Sequence, residues 1–256
     1  MAADVAARTR RRVLDGYLRL LPVTLAEFRS TGAFYLFFSL LFPAGGLFFV
    51  VTSGAGTGPD DLRYLAGGAL AASLAMGPAV MLCSRLGLAR EHREFDYWAS
   101  LPVSKTSLVL ALCTAHLVFS LPGVAAMLVL AGVFLAVPGW GLVGVLPLLP
   151  LATVALAGVG AFVGSRAPTG VAGTLLGNLM LTLFLFASLL MTRLDAYPAF
   201  LRPVVYLVPT TYVADAFRHL VGGRTVLPVG VDVAVLAAVA VGTLWFTHRR
   251  LDWRSR

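Results

Sequence analysis

Residues 90–105 read REHREFDYWASLPVSK, and they lie between two long apolar runs, 64–84 and 107–136. Arg90, Glu91, Arg93, Glu94, Asp96 and Lys105 crowd this gap in a chain that is 59% hydrophobic and only 12% charged. The flanking runs settle the fold class. The hydrocarbon core of a bilayer is about 30 Å thick, which about 20 apolar residues cross as a helix. Lipid offers backbone amides no water to bond, so a single segment of this kind must satisfy its own hydrogen bonds as an α-helix. The charged gap then reads as a surface loop between two spans.

Further runs at 34–52, 141–164, 171–192 and 229–247 complete the pattern. They predict six spans in a single all-α integral membrane domain covering 1–256, and the mean hydropathy of +0.87 agrees. Pro138, Gly139 and Gly141 in FLAVPGWGL, 134–142, mark a turn between the third and fourth spans. Pro147 and Pro150 predict a kink in the fourth. The first apolar run begins near Phe34 behind an Arg-rich segment, so it reads as a span and not as a signal-peptide core. Cys83 and Cys113 fall at or within predicted spans and read as small packing residues, with no disulfide expected.

An even number of spans puts both termini on one side. The tails, the 85–106 loop and the 165–170 turn carry fifteen of the twenty basic residues; the opposite face carries Arg63, Arg193, Arg202, Arg218 and Arg224. The positive-inside rule therefore places both termini and the charged loop in the cytoplasm. The net charge of +8 is read as this orientation signal, and no nucleic-acid partner is expected.

Three local helices are predicted outside the spans. Val13, Tyr17, Leu21, Leu25 and Phe28 recur at helical spacing with Arg11, Arg12, Asp15 and Arg19 between them, which predicts an amphipathic interfacial helix over 10–30, broken near Pro22. A helix over 88–101 would turn its charges outward and hold Leu88, Phe95 and Trp98 against the bundle; Pro102 would stop it, and Ser104 would cap the next span. In PTTYVADAFRHLVGG, 209–223, Thr210 or Thr211 would cap a short outer re-entrant or interfacial helix ending at Gly222-Gly223, with Asp215 facing Arg218 and His219.

Enzymatic chemistry is not signalled. The one lysine, Lys105, follows Ser104 where a P-loop requires glycine. No serine has glycine two residues before it, and His92, His116, His219 and His248 are scattered. The spans hold no acidic or basic residue in their interiors, since Arg85 and Asp232 fall at edges. Ion-coupled transporters keep such groups despite a cost of about 2.5–3.5 kcal/mol each, so a self-driven pump is disfavoured.

AREHREFDYWASLPVSK, 89–105, and PTTYVADAFRHLVGG stand in the order and positions found in permease subunits of ABC-2-type exporters, which this chain resembles. Many relatives carry Gly-Thr-Leu before the acidic position that Asp96 keeps; here Arg93-Glu94-Phe95 stand there. The resemblance implies a dimer, with a second copy or a sister permease, and two separate ATPase subunits that bind ATP and magnesium, none being held by this chain. It makes Arg90, Glu91, Arg93, Glu94, Asp96, Pro102 and Lys105 the coupling region, and Tyr212, Asp215 and Arg218 the outer-helix motif. It implies export of a drug, an antibiotic or a lipid-like compound across a bacterial cell membrane.

His116 and Asn178 are candidate residues of a substrate path, and His116 has a helix-to-helix hydrogen bond as its plainer reading. Gly173 and Gly177 form a small-residue motif that fits packing either within one subunit or between two. A membrane scaffold or assembly factor that transports nothing fits the absent chemistry but leaves the charged helix unexplained.

Overall fold

The computed structural model describes residues 2–28, 58–100, 104–135, 137, 139–190 and 192–250, with residues 37, 41, 45 and 48 between the first two stretches. Apart from those four helical positions, the expected first span at 34–52 lies outside the described residues. The described chain is helical throughout, with no strand among the described residues: α1 (Ala2–Phe28), α2 (Pro59–Glu91), α3 (Glu94–Ser100), α4 (Lys105–Leu135), α5 (Gly139–Gly164), α6 (Gly170–Phe186), a 3-10 turn (Leu194–Ala196), α7 (Arg202–Val205), α8 (Pro209–Val221) and α9 (Val229–Arg250). Four of these, α2, α4, α5 and α9, contain stretches long and apolar enough to cross a bilayer, and α6 is a shorter apolar helix.

α2 is the central element. Its 33 residues give a length of about 50 Å at 1.5 Å per residue. That exceeds a bilayer core, so its last turns carry Arg85, Arg90 and Glu91 beyond the apolar stretch. Four helices, α4, α5, α6 and α8, pack around it. In lipid no hydrophobic force draws helices together, so close approach at small residues does the work. A Cβ on Gly164 of α5 would lie 2.6 Å from the Cα of Cys83, and one on Gly173 of α6 would lie 2.7 Å from the Cys83 carbonyl oxygen. Both neighbours of α2 thus close on its backbone at the same residue. Ser84 Oγ and Thr174 Oγ1, 2.8 Å apart, add a side-chain hydrogen bond across the α2–α6 contact.

α1 is one unbroken helix through Pro22, contrary to the expected break. Pro22 lies on its exposed side, while Gly16, Leu20 and Thr24 face inward. Packing of that inward line against α4 holds the helix together past the missing N–H, which alone would cost about 3 kcal/mol. Tyr17 Oη donates to Thr114 Oγ1 at 3.1 Å, and Ser107 Oγ donates to the Val13 carbonyl at 2.9 Å. The amphipathic helix is therefore docked along the first turns of α4. Ser104 caps α4 as expected, accepting from the Ser107 amide at 3.0 Å. α5 runs through Pro147 and Pro150 as one continuous helix.

The span expected at 171–192 stops at Phe186, because residues 187–190 turn back into the bundle and bury Ser188, Leu189 and Leu190. α8 ends where expected: Gly222 adopts a left-handed φ of 73°, and the Gly223 amide donates to the Arg218 carbonyl at 2.9 Å. Its start differs. Val208 is the cap residue, without a side-chain hydrogen bond, and Pro209 opens the helix. Thr210 and Thr211 instead donate to carbonyls outside α8, those of Phe184 and Val205.

Candidate functional site

The features that stand out chemically gather at the two ends of α2. At its C-terminal end, the expected single helix over 88–101 is resolved into two pieces. α2 continues to Glu91; His92 and Arg93 then turn the chain, Arg93 taking a φ of 56°; the seven-residue α3 follows. Leu88, expected against the bundle, is 39% exposed, whereas Phe95 and Trp98 are buried as expected. The register explains this, since Leu88 belongs to α2 and not to the helix of the two aromatics. Phe95 and Trp98 meet edge to face with centroids 5.4 Å apart. Arg85 reaches over the Trp98 ring at 5.5 Å and pairs with Glu94 at 2.7 Å.

Arg90 and Glu91 of the charged cluster also bind within the chain. Arg90 donates to the Ser165 carbonyl at 2.5 Å, and Glu91 accepts from the Gly170 amide at 2.7 Å. Glu91 thereby satisfies one of the orphan amides at the start of α6, where a carboxylate is also favoured by the helix dipole. Arg90 and Glu91 together fasten the end of α2 to the 165–170 turn. A shallow cavity of about 470 Å³ opens beside them, lined by Ser84, Leu88, Glu91, Gly170, Val171, Thr174 and Leu175. Arg93 in the turn before α3, and Asp96 and Tyr97 on it, are exposed. Pro102 and the side chain of Lys105 lie outside the described residues, although Lys105 opens α4.

Within the bundle, His116 is buried, and its Nδ1 lies 2.7 Å from the Leu112 carbonyl of its own helix. Asn178 is exposed on the outer face of α6, next to the exposed Leu175 and Leu179. Gly173 and Gly177 face α2 instead, with Cys83 and Val80 as the atoms a side chain would meet. These four residues do not converge: the glycines fill an internal seam, His116 lies on α4, and Asn178 points away from both.

The N-terminal end of α2 receives α8, which is buried at Thr210, Thr211, Val213 to Arg218 and Val221. It inserts among α2, α5 and α9 instead of resting on the bundle surface. The expected pairing of Asp215 with Arg218 does not form; each side chain serves backbone from another segment. Asp215 accepts from the amides of Val226 at 3.0 Å and Leu227 at 2.7 Å. Tyr212 donates to the Tyr206 carbonyl at 2.6 Å.

Arg218 is fully buried and donates through Nε to the Tyr64 carbonyl at 3.1 Å and through one terminal nitrogen to the carbonyls of Leu189 and Leu190, the latter at 3.1 Å. Tyr197 Oη reaches the carbonyls of Phe186 and Ser188 at 2.9 and 2.8 Å. The carbonyls left over where α6 ends are thus met by side chains of later segments, as a helix end away from water requires. A Cβ on Gly68 would lie 1.6 Å from the Leu190 carbonyl oxygen, so glycine is needed for this junction. The pair Gly67-Gly68 inside an apolar run was the sequence signal for it.

An all-α apolar bundle with a pinned charged helix at one end and a buried polar helix at the other defines a membrane-embedded protein. The model of the ABC-2 family transporter protein matches residues 52–248, and the chain belongs to that family. It is a permease component of an ABC transporter, located in a membrane and partnered with an ABC ATPase, and is not that ATPase. No curated protein matches the chain.

Proposed function

We propose that this chain forms half of the substrate pathway of an ATP-driven exporter and that α3 is its coupling helix, gripped by one of two ATPase subunits. The observation that carries this reading is the construction of α3. Phe95 and Trp98 anchor it, Arg85 clamps it through Glu94, and Arg93, Asp96 and Tyr97 face away from the bundle, Tyr97 being 64% exposed. A short helix held this firmly transmits a push from a soluble partner into α2 and α4. On this reading the α3 end and both termini are cytoplasmic, in a bacterial cell membrane, in keeping with the bias of basic residues.

The second half of the pathway is another copy or a sister permease. Asn178 supports this, because a carboxamide on an exposed apolar helix face is better covered by protein than by lipid. Spans without interior charge suit a hydrophobic or lipid-like substrate, such as a drug or antibiotic.

The test is co-purification of the tagged chain with the ABC ATPase encoded beside it. Wild type is compared with Arg93→Glu combined with Tyr97→Glu, which leaves Arg90, Glu91, Glu94 and Asp96 untouched. Capture by wild type and loss in a folded variant supports the coupling helix. Equal capture by both removes α3 from the contact. No capture by either turns the reading toward a membrane scaffold that transports nothing.

A further inference from the structure

We infer that Asp215, His219 and Asp232 form a binding site for a divalent metal of the zinc class, joining α8 to α9. Asp215 and His219 stand one turn apart on α8, and Asp232 lies in the first turn of α9. One ligand atom from each residue can be chosen so that all lie within 4.8 Å of one another. His219 Nε2 is 3.8 Å from Asp232 Oδ2.

Asp232 is the observation that asks for a cation. Its side chain is fully buried, and neither carboxylate oxygen has a hydrogen-bond donor among the described residues. Asp215 next to it is also fully buried but satisfied, accepting from the Val226 and Leu227 amides. Two buried carboxylates this close repel, and a buried carboxylate that no hydrogen-bond donor meets is costly to hold as an anion. A divalent ion removes both penalties together.

The donor set suits such an ion. Carboxylate oxygens and imidazole nitrogens are both zinc ligands, at about 2.0–2.2 Å, and three protein ligands leave a fourth position open to water. The Val226 and Leu227 amides orient Asp215 from behind while leaving lone pairs of its oxygens for the metal. His219 Nε2 is now 2.7 Å from the Leu227 carbonyl, and metal binding exchanges that hydrogen bond for a metal–nitrogen bond. The His219 side chain is 26% exposed, which provides the way in. Ligation closes the three groups inward by about an ångström and fastens residues 222–228 between the two helices.

The full chain, carrying a histidine-free tag and purified in detergent, is stripped with chelator and then dialysed against Zn²⁺. Metal per chain is measured by mass spectrometry, and the melting temperature is followed with and without Zn²⁺. Wild type is expected to retain one equivalent and to melt higher with it. Asp232→Asn and His219→Gln lose the bound metal and the shift. Metal-free Asp232→Asn melts no lower than metal-free wild type, since it removes an unpaired buried charge, so lost binding there is not lost folding. Co²⁺ in place of Zn²⁺ gives the absorption bands of a four-coordinate site in wild type only. Zinc retained equally by wild type and Asp232→Asn, or by neither, overturns the site.

Discussion

The guanidinium of Arg218 lies 3.5 Å from the centre of the Tyr64 ring while its Nε donates to the Tyr64 backbone carbonyl at 3.1 Å. One residue of α2 thus receives the arginine twice, on its ring and on its backbone. The same side chain closes the end of α6 through Leu189 and Leu190. Arg218→Met fills the space but leaves these buried carbonyls without donors, and is expected to cost about 1–3 kcal/mol. Arg218→Lys keeps the charge but not the planar fork, and recovers less than half of the loss. Thermal unfolding of the three proteins in one detergent decides it, and a Met variant as stable as wild type would remove Arg218 from its structural role.

The seam on α2 predicts a contrast between glycines. Gly173→Ala and Gly164→Ala drive a methyl group against the backbone at Cys83, costing about 1–3 kcal/mol each. Gly242→Ala meets nothing within 4 Å and is expected to be neutral or slightly stabilising, as alanine favours the helix. The melting temperatures of the three variants should separate accordingly.

Arg93 holds a φ of 56°, a region that costs a residue with a Cβ about 1–2 kcal/mol and glycine much less. Arg93→Gly is therefore expected to hold or raise stability by up to about 1 kcal/mol, and Arg93→Val to lower it. The β-branched residue crowds its backbone most in this region. The opposite order in denaturation midpoints would mean that the turn before α3 is not built as described.

Trp98 anchors α3 without contributing to its exposed face. Trp98→Ala should leave the spans folded, as read by circular dichroism, yet loosen α3 and lower capture of the ATPase. Tyr97→Ala alters only the exposed face. If the Trp98 variant captures ATPase as wild type does, the anchoring of α3 does not matter to docking.

Cys83 and Cys113 are both buried and unpaired. A maleimide should label neither in the folded protein and both after denaturation, with identical mobility on reducing and non-reducing gels. Rapid labelling of Cys83 in the native state would show that the α2–α5–α6 seam opens.

Among the described helices, α2, α4, α5 and α9 are long and apolar enough to cross a bilayer, and α6 is a shorter apolar helix. They were legible because hydropathy is a property of each segment alone. The caps at Ser104 and Gly222 were legible for the same reason, since each acts within a few residues of itself. The charged cluster was visible as a cluster, and its division was not. Nothing local distinguishes Arg90 and Glu91, bound to Ser165 and Gly170, from Arg93, Asp96 and Tyr97, which face outward. Asp215 and Arg218 looked like a pair because they are one turn apart, a spacing that permits contact without requiring it. Buried carbonyls and amides elsewhere claimed each of them first.

The membrane class, the helical state of the spans, the absence of a P-loop and the family motifs follow from composition and short-range order alone. The burial of α8 within the bundle, the packing of Gly173 and Gly177 on α2 and the meeting of Asp232 with Asp215 and His219 depend on how distant helices pack. The reason is reach. Arg218 meets Tyr64 across 154 residues of sequence, and Tyr17 meets Thr114 across 97. Which polar group satisfies which, once water is excluded, is settled by the packing of helices distant along the chain.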